Sequence, residues 1–144
     1  MGKIKAASDT NILILLLFKK GLAKEFSKLI EKGSVEFYSS EEILGELARV
    51  LTYPKIEEVF KKAGIDKTTA LESLVEILKI VNPKVKIDAI KRDSIDNKVL
   101  ECALEAGAKY VVSGDKHLLE LKKFRKTEIL SVREFLEKMS THAL

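Results

Sequence analysis

Short apolar runs and amphipathic stretches take turns along this chain, and that alternation leaves few architectures open. Ile4 to Ala7, Val35 to Tyr38, Tyr110 to Val112 and Glu128 to Leu130 read as short buried strands, and Val85 to Ile90 as a strand or extended segment. Helical patterns fill the intervals. Strands separated by helices pair in parallel through crossovers, and a parallel sheet must be covered on both faces. The expected fold is therefore α/β, a three-layer sandwich with a central parallel sheet flanked by helices.

The helices announce their ends. Ser8-Asp9-Thr10-Asn11 supplies capping residues before the apolar run Ile12 to Phe18, and Lys19-Lys20-Gly21 closes it. A second helix runs from about Leu22 to Lys32 with Phe26, Leu29 and Ile30 on one face, and stops at Gly33. Ser39 and Glu42 have capping-box spacing, so a helix starts there, with Ile43, Leu47, Val50 and Leu51 as its stripe and Pro54 as its limit. Further helices are expected over Lys55 to Ala63, over Lys67 to Ile80 behind Asp66 as N-cap, and from Asp93-Ser94-Ile95-Asp96 to Gly107. A short one from Asp115 to Leu121 and a last one from Val132 to Met139 complete the set.

A chain of 144 residues fits one domain, 1–144, with enough core to fold without staples. The lone cysteine, Cys102, rules out an intramolecular disulfide and reads as a buried thiol. Ile12 to Phe18 is far shorter than the ~20 residues of a membrane-spanning helix and lacks the flanks of a signal peptide, so a cytoplasmic protein is expected. With 26 basic and 22 acidic residues the net charge is +4, which permits nucleic acid as a partner without implying it.

Open parallel sheets bind ligands beyond the carboxyl ends of their strands, at a topological switch point. That rule selects Asp9 after the first strand and Asp115 after the Tyr110 to Ser113 strand. Of the six aspartates, four (Asp9, Asp93, Asp96 and Asp115) stand at strand-to-helix junctions or helix starts. Singly, each is explained as a cap or a first-turn acid favoured by the helix dipole. Together they would crowd one sheet edge, where two carboxylates about 5 Å apart repel by ~3 kcal/mol at an effective dielectric of 20. A divalent cation relieves such repulsion. Glu46 lies at the edge of the stripe formed by Ile43, Leu47 and Val50, whereas Glu41 points away and Glu42 lies farther out. It reads either as a fourth site acid or as a boundary residue paired to Arg49 or Lys98.

Asp9-Thr10-Asn11 after a first strand, the run Ser40 to Leu47, Asp93-Ser94-Ile95-Asp96-Asn97-Lys98, the run Gly107 to Asp115 and the closing Ile129 to Leu136 together resemble the PIN-domain family. The likeness is strongest to the prokaryotic, VapC-like branch assigned to toxin components of toxin–antitoxin systems, and it covers Lys3 to Leu136 in the family's order. It implies a metal-dependent ribonuclease, an endonuclease binding Mg²⁺ or Mn²⁺ through Asp9, Glu46, Asp96 and Asp115. Asp93 matches an additional acid of this branch and reads equally as a cap, and Thr10, Asn11 and Ser113 match polar supporting positions. RNA is the implied substrate, a small antitoxin protein an implied partner, and homodimerisation a family habit. Ser94-Ile95 stands where the branch often has Pro and another acid, so the segment is less acidic than usual.

Hard oxygen donors suit Mg²⁺, and two histidines with one thiol are too few for an ordinary zinc site. Phosphates held near this acidic cluster need cations, for which Arg49, Arg92, Lys98 and Lys116 are candidates. The alternative is a non-catalytic RNA-binding or regulatory protein on the same fold. A receiver- or phosphatase-like phosphoryl-transfer domain fits less well, because Asp9 is followed by Thr10-Asn11 and no Walker-type loop is present.

Overall fold

The computed structural model describes residues 3–88 and 94–142. Its elements run β1 (Ile4–Ser8), α1 (Thr10–Phe18), α2 (Leu22–Glu31), β2 (Val35–Ser40), α3 (Glu41–Val50), α4 (Pro54–Ala63), α5 (Lys67–Ile77) and β3 (Leu78–Val81). They continue with α6 (Ser94–Ala106), β4 (Tyr110–Val112), α7 (Lys116–Leu121), β5 (Lys123–Phe124), β6 (Thr127–Leu130) and α8 (Val132–His142). The strands form one sheet in the order β3-β2-β1-β4-β6-β5, parallel throughout except for the β5–β6 hairpin. The three-layer α/β architecture expected from the alternation is the one observed.

Small residues make the centre possible. Ala6 and Ala7 of the central strand β1 are fully buried, and Ala6 stands between Phe37 of β2 and Tyr110 of β4 in the register. That large-small-large row is capped by an aromatic cluster: Phe26 of α2 lies 5.1 Å from Phe37 and 5.0 Å from Phe135 of α8, which meets Tyr110 edge-on at 5.6 Å. Helices α2 and α8 thus cover one face. The other face is covered by α6, which packs on β1, β2 and β4 and contributes buried Val99, Leu100, Cys102 and Ala103. Helix α1 is apolar almost all round and wedges among α2, α3 and α5. No helix among the described residues is long and apolar enough to cross a membrane.

Three expectations need correction. The helix predicted to Ile80 stops at Ile77, and the chain turns directly into β3, because Leu78 adopts an extended backbone and pairs with Phe37. Of the segment read as a strand or extended from Val85 to Ile90, residues 85–88 join no strand, and the amides of Lys84 and Ile87 donate to Glu105 Oε1 (3.1 Å) and Glu101 Oε2 (2.9 Å) of α6. The remaining two residues of that predicted strand, 89 and 90, lie outside the described residues. Helix α3 is capped by Ser40, the last residue of β2, whose hydroxyl accepts the Ile43 amide at 3.3 Å, and not by Ser39.

Candidate active site

From β1 the chain steps outward through β2 and β3, then returns to lay β4 on the opposite side of β1. The strand order reverses between β1 and β4, the place where an open parallel sheet leaves a crevice beyond its carboxyl ends. Asp9 follows β1 immediately, and Ser113-Gly114-Asp115 follows β4.

One hydroxyl ties the two acids together. Ser113, fully buried, donates to Asp9 Oδ2 and accepts the Asp115 amide at 2.9 Å. Asp9 also caps α1, its Oδ1 accepting the Ile12 amide at 3.1 Å, and Asp115 caps α7, its Oδ1 accepting the amides of His117 (2.8 Å) and Leu118 (3.2 Å). Capping and site placement are therefore the same act: each carboxylate is fixed by a helix terminus and so held at the sheet edge. Burial raises the Asp9 carboxyl above its ordinary value, and the charge of Asp115 adds to the rise. Hydrogen bonds from Ser113, Ile12 and Gly114 oppose it.

The other two acids arrive on helices. Asp96, in the first turn of α6, is only 3% exposed. Glu46 projects from α3. All four acids, with Thr10 and Asn11, line one cavity of about 190 Å³ whose apolar wall is Val50, Ile95 and Val99. Thr10 Oγ1 is buried there without a hydrogen-bond partner among the described residues. Asp93 and Arg92 lie outside the described residues.

Glu46 also carries the pairing that its sequence position allowed. Arg49 grips both of its oxygens, Nη2 lying 2.6 Å from Oε1 and 2.8 Å from Oε2, with Nε 3.2 Å from Oε2. The guanidinium is in turn hydrogen-bonded to the Tyr53 hydroxyl and lies 5.6 Å from the centre of the Tyr53 ring. Lys98 pairs with the buried Glu101 at 3.2 Å rather than with Glu46, and Lys116 is exposed. Glu46 is thus held by Arg49, Asp9 by Ser113 and Asp115 by the α7 amides. Among the described residues no three Asp, Glu, His or Cys side chains stand at joint coordinating distance.

The donors facing the cavity are oxygens, the set that Mg²⁺ and Mn²⁺ prefer. His117 is exposed, and Cys102 is in the core with its thiol pushed up to about 12 by burial, so neither lines the cavity. The residue chemistry fits a hard divalent cation. The apolar wall escaped the sequence reading, although helical spacing signals it: Val50 lies one turn after Glu46, and Val99 three residues after Asp96.

A family model described as PIN domain matches residues 5–117, a span that holds Asp9, Glu46, Asp96 and Asp115. In shape the chain is similar to one in the crystal structure of VapBC2 from Rickettsia felis bound to a DNA fragment from their promoter. The TM-score is 0.61 at 16% identity, over 88% of this chain and 97% of that one, a likeness of fold. No curated protein matches the sequence. With the match running from the first strand into the helix capped by Asp115, and with the sheet order to go with it, the chain belongs to the PIN-domain family.

Proposed function

We propose that this PIN domain is a divalent-metal-dependent endoribonuclease whose catalytic group is Asp9, Glu46, Asp96 and Asp115. The observation that carries the reading is that four acids from four separate segments line one cavity at the switch point of the sheet. Capping alone does not require this, since the charge of Asp115 bears on the buried Asp9 carboxyl and adds to its cost.

Asp9, Asp96 and Asp115 would hold the cation, Mg²⁺ or Mn²⁺, and Glu46 would complete its shell or orient the attacking water. The cation would supply Lewis-acid polarisation of the phosphodiester and lower the pKa of water. Ser113 fixes the orientation of Asp9 by donating to Oδ2 while its own acceptor position is taken by the Asp115 amide. Thr10, whose hydroxyl has no hydrogen-bond partner among the described residues, and Asn11 are polar groups available to a ligand in the cavity. The walls of Val50, Ile95 and Val99 restrict water on that side, which strengthens the electrostatics of the site.

The biological setting we propose is a toxin restrained by a small antitoxin, an extension from the VapBC2 assembly that shares the fold. Homodimerisation is part of the same reading. Leu15 of α1 and Val75 of α5, on helices that pack together, stay 48% and 44% exposed, an apolar cost that a second copy would relieve.

Purified protein incubated with total RNA and Mg²⁺ or Mn²⁺ is expected to produce discrete cleavage products, lost on chelation and in Asp9→Asn. Equal cleavage by wild type and variant would sink the assignment. RNA binding without cleavage in either metal would favour a regulatory RNA-binding protein on the same fold.

A further inference from the structure

The guanidinium of Arg49 occupies both oxygens of the one cavity carboxylate that comes from mid-helix, and it does so from a side chain that is 60% exposed and next in sequence to Val50 of the cavity wall. Three features distinguish this from an ordinary surface pair. The contact is a fork on a carboxylate, the geometry that matches a phosphate equally well. Tyr53 gives the guanidinium a second anchor, its hydroxyl accepting from Nη1, which Glu46 does not use, and its ring lying 5.6 Å away. Finally, the other described cations considered for the substrate are placed differently: Lys98 is committed to Glu101, and Lys116 is on the surface beside the α7 cap.

We propose that Arg49 and the divalent cation are alternative partners of Glu46, and that Arg49, when released, is the residue that positions the RNA phosphate at the cavity. This rests on the ribonuclease reading above and adds a residue that the acidic quartet does not contain. The exchange conserves charge complementarity: the carboxylate trades a guanidinium for a metal ion, and the guanidinium trades a carboxylate for a phosphodiester. No covalent step is involved. Tyr53 remains bound to the guanidinium during the exchange, so Arg49 acts as a substrate-positioning residue.

The two roles make opposite predictions for one substitution, which a merely structural role does not. Arg49→Gln is expected to bind Mn²⁺ severalfold more tightly by calorimetry, because Glu46 is no longer contested. It is also expected to bind a fluorescein-labelled, random-sequence single-stranded RNA 12-mer severalfold more weakly by anisotropy in Ca²⁺. Arg49→Lys, which keeps the charge without the fork, should fall between on both measures, and Tyr53→Phe should weaken RNA binding by a smaller factor. Lys116→Gln controls for the simple loss of a nearby positive charge and should move Mn²⁺ affinity less than Arg49→Gln does.

If Arg49→Gln leaves either affinity unchanged, moves both in the same direction, or matches Lys116→Gln, the proposal is overturned while the ribonuclease reading stands. If wild-type protein binds neither Mn²⁺ nor the RNA, the ribonuclease reading falls and this proposal falls with it.

Discussion

Asp9 is the residue on which structural and chemical demands meet. Its folded-state carboxyl lies above the ordinary value of 3.8, so the fold favours the neutral form and the ionised form costs stability. The native state then holds a proton more readily than the unfolded chain, and stability falls as pH rises through the raised value. Asp9→Asn is accordingly expected to abolish RNA cleavage yet raise the melting temperature of metal-free protein at pH 7. That gain should shrink as pH falls toward 3.8, and a lower melting temperature at neutral pH would refute the account. Ser113→Ala removes a donor to Asp9 and an acceptor for Asp115 in one step. Leaving the buried groups unpaired should cost about 1–3 kcal/mol in denaturant unfolding and reduce cleavage. Cys102, fully buried with its thiol near 12, should resist iodoacetamide at pH 8 until the protein unfolds. At this scale the sequence was informative where chemistry and capping coincide. Asp9 and Asp115 stand at junctions any helix-start rule selects, whereas the bridge through Ser113 spans 104 residues and has no local signature.

Elements were legible in proportion to their punctuation. Helix α6 ends at Gly107 as its spacing implied, with φ of 66°, the Gly107 amide bonding Leu104 O at 3.2 Å and the Ala108 amide bonding Ala103 O at 2.9 Å. Nothing lies within 4 Å of a Cβ built at that glycine. Gly107→Ala therefore isolates the backbone term and should cost about 1 kcal/mol of stability with unchanged cleavage. The junction of α5 and β3 had no such mark. Leu74 to Val81 carries neither glycine nor proline, so an apolar pattern that starts as helix gave no reason to stop, and only pairing with β2 decides where it does. The segment from Val85 left strand and extended chain open for the converse reason: its apolar residues look strand-like, but its partner is a carboxylate of α6 and not a strand edge. Glu101→Ala removes the acceptor of the Ile87 amide and should accelerate tryptic cleavage after Lys84 and Lys86 in otherwise folded protein.

For the whole molecule, alternation of strand and helix was sufficient to imply the layers, and the strand ends were sufficient to imply the sheet edge that carries the acids. The strand order was not readable from composition or period, because it depends on which side of β1 accepts β4. Reversal of that order is what brings residues near position 9 and position 115 together. The pairing Ser8 with Val112 has a consequence for how the protein is made. Synthesis proceeds from the amino end, so a growing chain contains Asp9, Glu46 and Asp96 before it contains the strand that stands beside Asp9 or the hydroxyl that orients it. The acidic edge is thus completed only once β4 and Asp115 have been made, after most of the polypeptide has been translated. A nascent chain halted before Tyr110 lacks Ser113 and Asp115, so under the proposed function it would spare the messenger and ribosome that are making it.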